Sequence, residues 1–106
     1  MLLMKKAFFD AVRGGRKTVT LRHWRYRRVA PGQIHTVPGL GKVRIESVRE
    51  AALSSLTDAD AAADGLSSAA ELRRALRKIY PSLRGGGDPS RRLYRVQFCY
   101  LGDGRG

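Results

Sequence analysis

The sequence predicts an α+β domain, a mostly antiparallel β-barrel with helices packed outside. Short segments of β-branched and aromatic residues recur at 18–26, 34–37, 42–49 and 93–101, separated by Pro-Gly and Gly-rich turns. Few helical segments lie between them, which disfavours a parallel sheet and its crossover helices. The chain has 106 residues, 42% of them hydrophobic. That is enough for one core and too short for two domains, so residues 1–101 read as a single domain and 102–106 as a flexible tail.

Residues 2–5 read as a short first strand. Residues 7–13 read as a helix, with Phe8, Phe9 and Val12 as its apolar stripe and Gly14-Gly15 as its stop. In the strand at 18–26, Val19 and Leu21 point one way, and Thr18, Thr20 and Arg22 the other. Pro31-Gly32 is a turn, 34–37 a strand, and Pro38-Gly39-Leu40-Gly41 another turn. The strand at 42–49 carries Val43 and Ile45 inward, and its alternation slips near Val48, as at a bulge. Thr57 with Asp60 caps a short helix that closes at Gly65, and Ser68 with Glu71 caps a longer one. That helix has Leu72, Ala75, Leu76 and Ile79 as its apolar stripe, and Pro81 stops it. Residues 82–91, with Gly85-Gly86-Gly87-Asp88-Pro89, read as a flexible loop. The last strand sets Tyr94, Val96, Phe98 and Tyr100 on one face.

The charge balance is lopsided. Lys and Arg number 21 against 9 acidic residues, a formal charge of +12. Most cations are arginine, which pairs with phosphate and stacks on flat rings. RNA or a nucleoside is the partner this favours. The single cysteine, Cys99, excludes an internal disulfide and reads as an inert packed thiol. With no long apolar run and no signal-like start, a cytoplasmic, membrane-free monomer is expected. His23 and His35 are isolated, so no metal is expected, and nothing calls for a cofactor.

The densest cluster of functional side chains is Gly14-Gly15-Arg16-Lys17-Thr18-Val19-Thr20-Leu21-Arg22. It is not a phosphate-binding loop, because Arg16 rather than glycine precedes Lys17 and a helix precedes the glycines. Thr20 and Arg22 share a strand face. Lys17 reaches the same cleft only from the turn before the strand. A hydroxyl, an amine and a guanidinium would then converge, a set suited to acyl transfer if nearby cations such as Arg16 and Arg22 depress the lysine. Spacing alone reads the segment more readily as a solvated basic turn and an ordinary edge strand.

The string from Gly15 to Arg22 resembles the signature of the ASCH family, Gly-x-Lys-x-x-Glu-x-Arg, with Thr20 in the glutamate place. It is similar to the bacterial branch described as N4-acetylcytidine amidohydrolases, which carries Arg-Lys-Thr-x-Thr-x-Arg. The resemblance extends through Pro31-Gly32, the strand from Val43, Leu56-Thr57, Tyr80-Pro81 and the last strand. It implies a PUA-like fold, Thr20 as nucleophile, Lys17 as the base that activates it, and Arg22 as the group that closes the cleft and holds the substrate or orients the others; Arg16 beside the motif is a further substrate-binding candidate. The family's catalytic glutamate maps to Asp64, one methylene shorter. A carboxylate beside Lys17 favours its charged form, which opposes a role as base.

Two further basic features stand out. Trp24, Arg25, Tyr26, Arg27 and Arg28 interleave rings with cations, as in a strand end that stacks bases and follows phosphates; alternatively Trp24 packs on the barrel and the arginines are solvated. Arg73, Arg74, Arg77 and Lys78 line one helix face and read first as a solvated surface. Three functions remain open: an amidohydrolase, a non-catalytic RNA-binding module, and a ribonuclease that uses the same cleft.

Overall fold

The computed structural model describes residues 1–86 and 91–102, with backbone only for 84–86. Four strands form one antiparallel sheet: β1 (Val19–Trp24), β2 (Ile34–Val37), β3 (Gly41–Ala51) and β4 (Arg92–Gly102). Their order is β1-β4-β3-β2, so β4 lies inside and β1 and β2 are edges. The α+β class and the antiparallel sheet agree with the sequence reading. The sheet stays open rather than closing into a barrel.

Residues 2–5 are not a strand, contrary to expectation. They run as irregular chain, with the Leu2 N–H donating to Thr36 O at 3.0 Å. The side chain of Leu2 is nevertheless buried, so its apolar character reports core packing rather than a ladder. A 3-10 turn at Lys6–Phe8 leads into α1 (Phe9–Arg13), which buries Phe9 and Val12. Gly15 then takes φ +75°, a conformation that favours glycine, and swings Lys17 back toward β1.

The expected bulge is present. Ile45 faces Phe98 while Ser47 faces Gln97, so Glu46 is the extra residue. The slip lets Val43, Ile45 and Val48 all reach one core despite their mixed parity. That core also holds Tyr94, Val96 and Phe98 of β4, with Tyr100 packed against it.

A second core forms on the other side of the sheet. Leu21 and Leu93 meet Leu56, Ala61, Leu72 and Leu76. The last four come from two helices and their approach: α2 (Asp58–Ala63) and α3 (Ala69–Ile79). Thr57 and Asp60 form the reciprocal capping box that opens α2. Ser68 accepts from the Glu71 N–H to open α3, while the Glu71 carboxylate turns back to Ser67. Each buried leucine here contributes about 1.5–3 kcal/mol relative to exposure. Residues Pro81–Gly86 form a 3-10 turn, so the first half of the expected loop is ordered helically. Its remainder at 87–90 and the tail at 103–106 lie outside the described residues. No described helix is long and apolar enough to cross a membrane.

Candidate functional site

A cleft of about 390 Å³ opens along the free edge of β1. Lys17, Thr20, Leu21 and Arg22 line it from β1 and its approach, Asp64 from the end of α2, Leu3 to Lys5 and Phe8 from the N-terminal segment, and Leu72, Ala75, Leu76 and Ile79 from α3, with Tyr80 just beyond it. The turn made by Gly14 and Gly15 brings Lys17 into the same cleft as Thr20 and Arg22, as the spacing required. It is not a solvated turn, because Lys17 is 3% exposed.

Asp64 is the C-terminal cap of α2, and a local bridge joins its backbone to that of Lys17. The Thr18 N–H donates to Ala63 O at 2.8 Å, which pins α2 to the start of β1. Lys17 Nζ then donates to Asp64 Oδ1, to Asp64 O at 3.3 Å and to Val19 O at 2.9 Å. The Phe8 ring lies 4.6 Å from the amine and covers it. The shorter side chain of aspartate therefore reaches the lysine, helped by Gly65 at φ +85°.

Burial lowers the Lys17 pKa from its ordinary value. Asp64 opposes that shift, and Arg22 adds to it. Burial also raises the Asp64 carboxyl, against the pull of Lys17 and Arg22. Desolvation is thus the largest influence on both groups: it lowers the Lys17 pKa and raises that of Asp64, against the attraction between them. Burial therefore works against the tendency of the Asp64 carboxylate to keep Lys17 charged.

Arg22 Nε donates to Thr20 Oγ at 3.1 Å, and its Nη2 donates to Leu3 O. One guanidinium therefore holds the threonine hydroxyl and the N-terminal segment together. Burial lowers the Arg22 pKa as well, with Tyr80 and Asp64 opposing. The acceptors of Lys17 Nζ do not include Thr20, so proton transfer between the two needs the amine to swing from Val19 O or Asp64.

The other sequence candidates lie elsewhere. Arg16 is exposed and does not line the cleft, and Arg22 rather than Arg16 depresses Lys17. Trp24 packs against Tyr94, with ring centroids 5.8 Å apart, and joins the first core. Arg25, Tyr26, Arg27 and Arg28 are exposed beyond β1, with the Arg28 guanidinium 5.8 Å from the Tyr26 ring. His23 is not isolated: it is buried, Ser82 Oγ lies 3.1 Å from its Nδ1, and Tyr80 packs edge-on against it. Among the described residues no cluster of three or more His, Cys, Asp or Glu is placed to hold a metal.

No protein-family model matches the sequence, and no curated protein matches it. Solved structures do. The ASCH domain from Lactobacillus crispatus JV V101 superposes with a TM-score of 0.72 at 16% identity, over 88% of this chain and 69% of that one. The fold is that of an ASCH domain. The same ASCH-type fold matches hypothetical protein PH0355 with a TM-score of 0.73 at 16% identity, over 92% of this chain and 94% of that one. It also matches protein EF3133 from Enterococcus faecalis V583 with a TM-score of 0.68 at 18% identity, over 91% and 71%. In this ASCH fold, Phe8, Leu76, Ile79 and Tyr80 complete the cleft walls. Sequence reasoning took them for core or structural residues. For Ile79 the apolar stripe of α3 is the signal in the sequence, since the structure leaves this residue 42% exposed rather than packed in the core.

Proposed function

We propose that the cleft hydrolyses an amide of an acylated nucleoside, N4-acetylcytidine or a close relative. The observation that carries this reading is the buried Lys17 amine, depressed by desolvation, held by Asp64 and lining one cleft with Thr20. Thr20 Oγ attacks the acyl carbon while its proton passes to the neutral Lys17 amine. Arg22, already donating to the threonine oxygen, supports the alkoxide character that develops there as the proton leaves. The C–N bond then breaks, Lys17 returns the proton to the leaving amine, and cytidine departs. Water hydrolyses the acetyl ester on Thr20 and releases acetate. Asp64 orients Lys17 throughout. The apolar walls from Phe8 and α3 exclude bulk water and suit the flat base.

The test is incubation of purified protein with N4-acetylcytidine, followed by chromatography, beside Thr20→Ala and Lys17→Ala. Cytidine formed by the wild type and lost in both variants is expected. No turnover by folded wild-type protein at high concentration would overturn the reading.

A second reading, RNA binding at the same cleft, is supported by the outer face of α3. Arg73, Arg74, Arg77 and Lys78 line a shallow groove on the helix that also walls the cleft. A polynucleotide bound there shows a steep salt dependence. Chelator-resistant RNA cleavage lost in Lys17→Ala would instead select the ribonuclease alternative.

A further inference from the structure

In an antiparallel ladder, successive residues turn their N–H and C=O toward the partner strand and then away from it. The Phe98 N–H donates to Thr18 O at 2.9 Å, and Thr20 lies opposite Val96. Even-numbered residues of β1 therefore face β4, while Val19, Leu21 and His23 turn their peptide groups to the open edge. Val19 O accepts from Lys17 Nζ at 2.9 Å. His23 O accepts from Arg91 Nη1 at 3.4 Å. Between them, the N–H and C=O of Leu21 meet no partner among the described residues. Leu21 is 5% exposed and lines the cleft. A peptide group so buried and unpaired is costly, which points to a ligand that completes it.

Between the Lys17 and Arg91 contacts, Leu21 is the residue with both its N–H and its C=O open. A peptide adding as a strand needs a run of free pairs. Lys17 occupies the edge on one side of Leu21 and Arg91 on the other. A planar heterocycle with one donor beside one acceptor needs only a single residue. We propose that the Leu21 backbone reads the edge of a cytosine-type base. Its N–H donates to ring nitrogen N3, and its C=O accepts from the exocyclic N4–H. This inference rests on the acylcytidine reading for its choice of base and assigns base recognition to the backbone. Acylation leaves one hydrogen on N4, so both bonds survive it. Thr20 and Arg22 flank Leu21 and share a strand face, next to the N4 substituent. Uracil presents O4 and N3–H, the opposite order, and does not match with its ribose held the same way.

The test replaces Leu21 in the full chain by its α-hydroxy acid, which deletes the N–H and keeps the side chain. Binding of cytidine and of 3-deazacytidine, which has carbon in place of N3, is measured by titration. Wild type is expected to bind 3-deazacytidine about tenfold more weakly than cytidine, the usual scale for a lost bond to a buried donor. The replacement weakens cytidine by a similar factor and leaves 3-deazacytidine unaffected. A merely structural defect weakens both ligands alike, and that result overturns the proposal. So does wild type binding cytidine, 3-deazacytidine and uridine equally. Acetylcytidine turnover in the same preparation separates the two claims. Turnover indifferent to N3 sinks the backbone readout and leaves the amidohydrolase. N3-dependent binding without turnover does the reverse.

Discussion

Asp64 holds Lys17 twice, through its carboxylate and through its own backbone carbonyl 3.3 Å from Nζ. The carbonyl contact survives substitution of the side chain. Asp64→Asn should therefore keep Lys17 in place, whereas Lys17→Ala leaves a buried carboxyl without its hydrogen-bonded cation and with only the more distant influence of Arg22. Removing one partner of a buried pair costs about 3–5 kcal/mol. Here the raised Asp64 carboxyl can protonate, which places Lys17→Ala toward the low end of that range. Urea unfolding of both variants checks the order, and Asp64→Asn proving the weaker of the two contradicts it.

The pH dependence of catalysis follows from the same pair. If neutral Lys17 is the base, kcat/KM rises with pH through a lysine pKa below the ordinary 10.5. Asp64 raises that pKa, so Asp64→Asn lowers it further. The ascending limb of the pH–rate profile should shift to lower pH in the variant. A limb that stays or moves upward means that Lys17 is not the titrating base.

Stability responds with the opposite sign. The folded-state pKa of Asp64 lies above its ordinary 3.8 because burial penalises the carboxylate. Its contribution is fully present below pH 3.8 and is lost as pH rises through the folded pKa. The stability of wild type relative to Asp64→Asn should therefore fall across that window and then level. Thermal melts of the two proteins over acid to neutral pH measure the difference.

Arg22→Lys tests the guanidinium as a clamp. Lysine keeps the charge but cannot hold Thr20 Oγ and Leu3 O from one planar fork. A loss of about 10²-fold in kcat is expected, the scale for one removed oxyanion donor. Faster amide exchange in residues 3–5 should accompany it. Wild-type kcat in the variant would remove Arg22 from the chemistry.

The α3 face gives a salt-slope prediction. Each phosphate contact to a single strand contributes about 0.7 to the slope of log K against log salt. Arg74→Gln with Arg77→Gln should weaken RNA binding and reduce that slope by about 1.4. Filter binding over a range of salt reads both, and an unchanged slope rules this helix out as a phosphate track.

Much of this was legible from local pattern. Thr57 with Asp60 announced α2, and the slip near Val48 announced the Glu46 bulge, because both are written in adjacent residues. Lys17, Thr20 and Arg22 were grouped by spacing and by resemblance, and the structure lines one cleft with them. Residues 2–5 misled because burial of Leu2 and strand pairing leave the same apolar mark. Arg16 and the run from Arg25 to Arg28 lie outside the cleft, which sequence could not tell because exposed cations look alike whether or not a cleft is near. The open peptide group of Leu21 was beyond reach. It depends on which way a peptide group turns, and that follows from the partner strand rather than from the side chain.

The sheet order has a temporal meaning. Thr20 sits opposite Val96 and Val48 opposite the same residue, so β4 is the strand that joins β1 to β3. On a ribosome β4 emerges after both, and until it does the two earlier strands have no common neighbour. Their apolar faces must wait, exposed to chaperones or to one another. The nascent chain is thus most vulnerable in the interval between the emergence of β3 and that of β4, and the edge cleft takes shape only when β4 slots in.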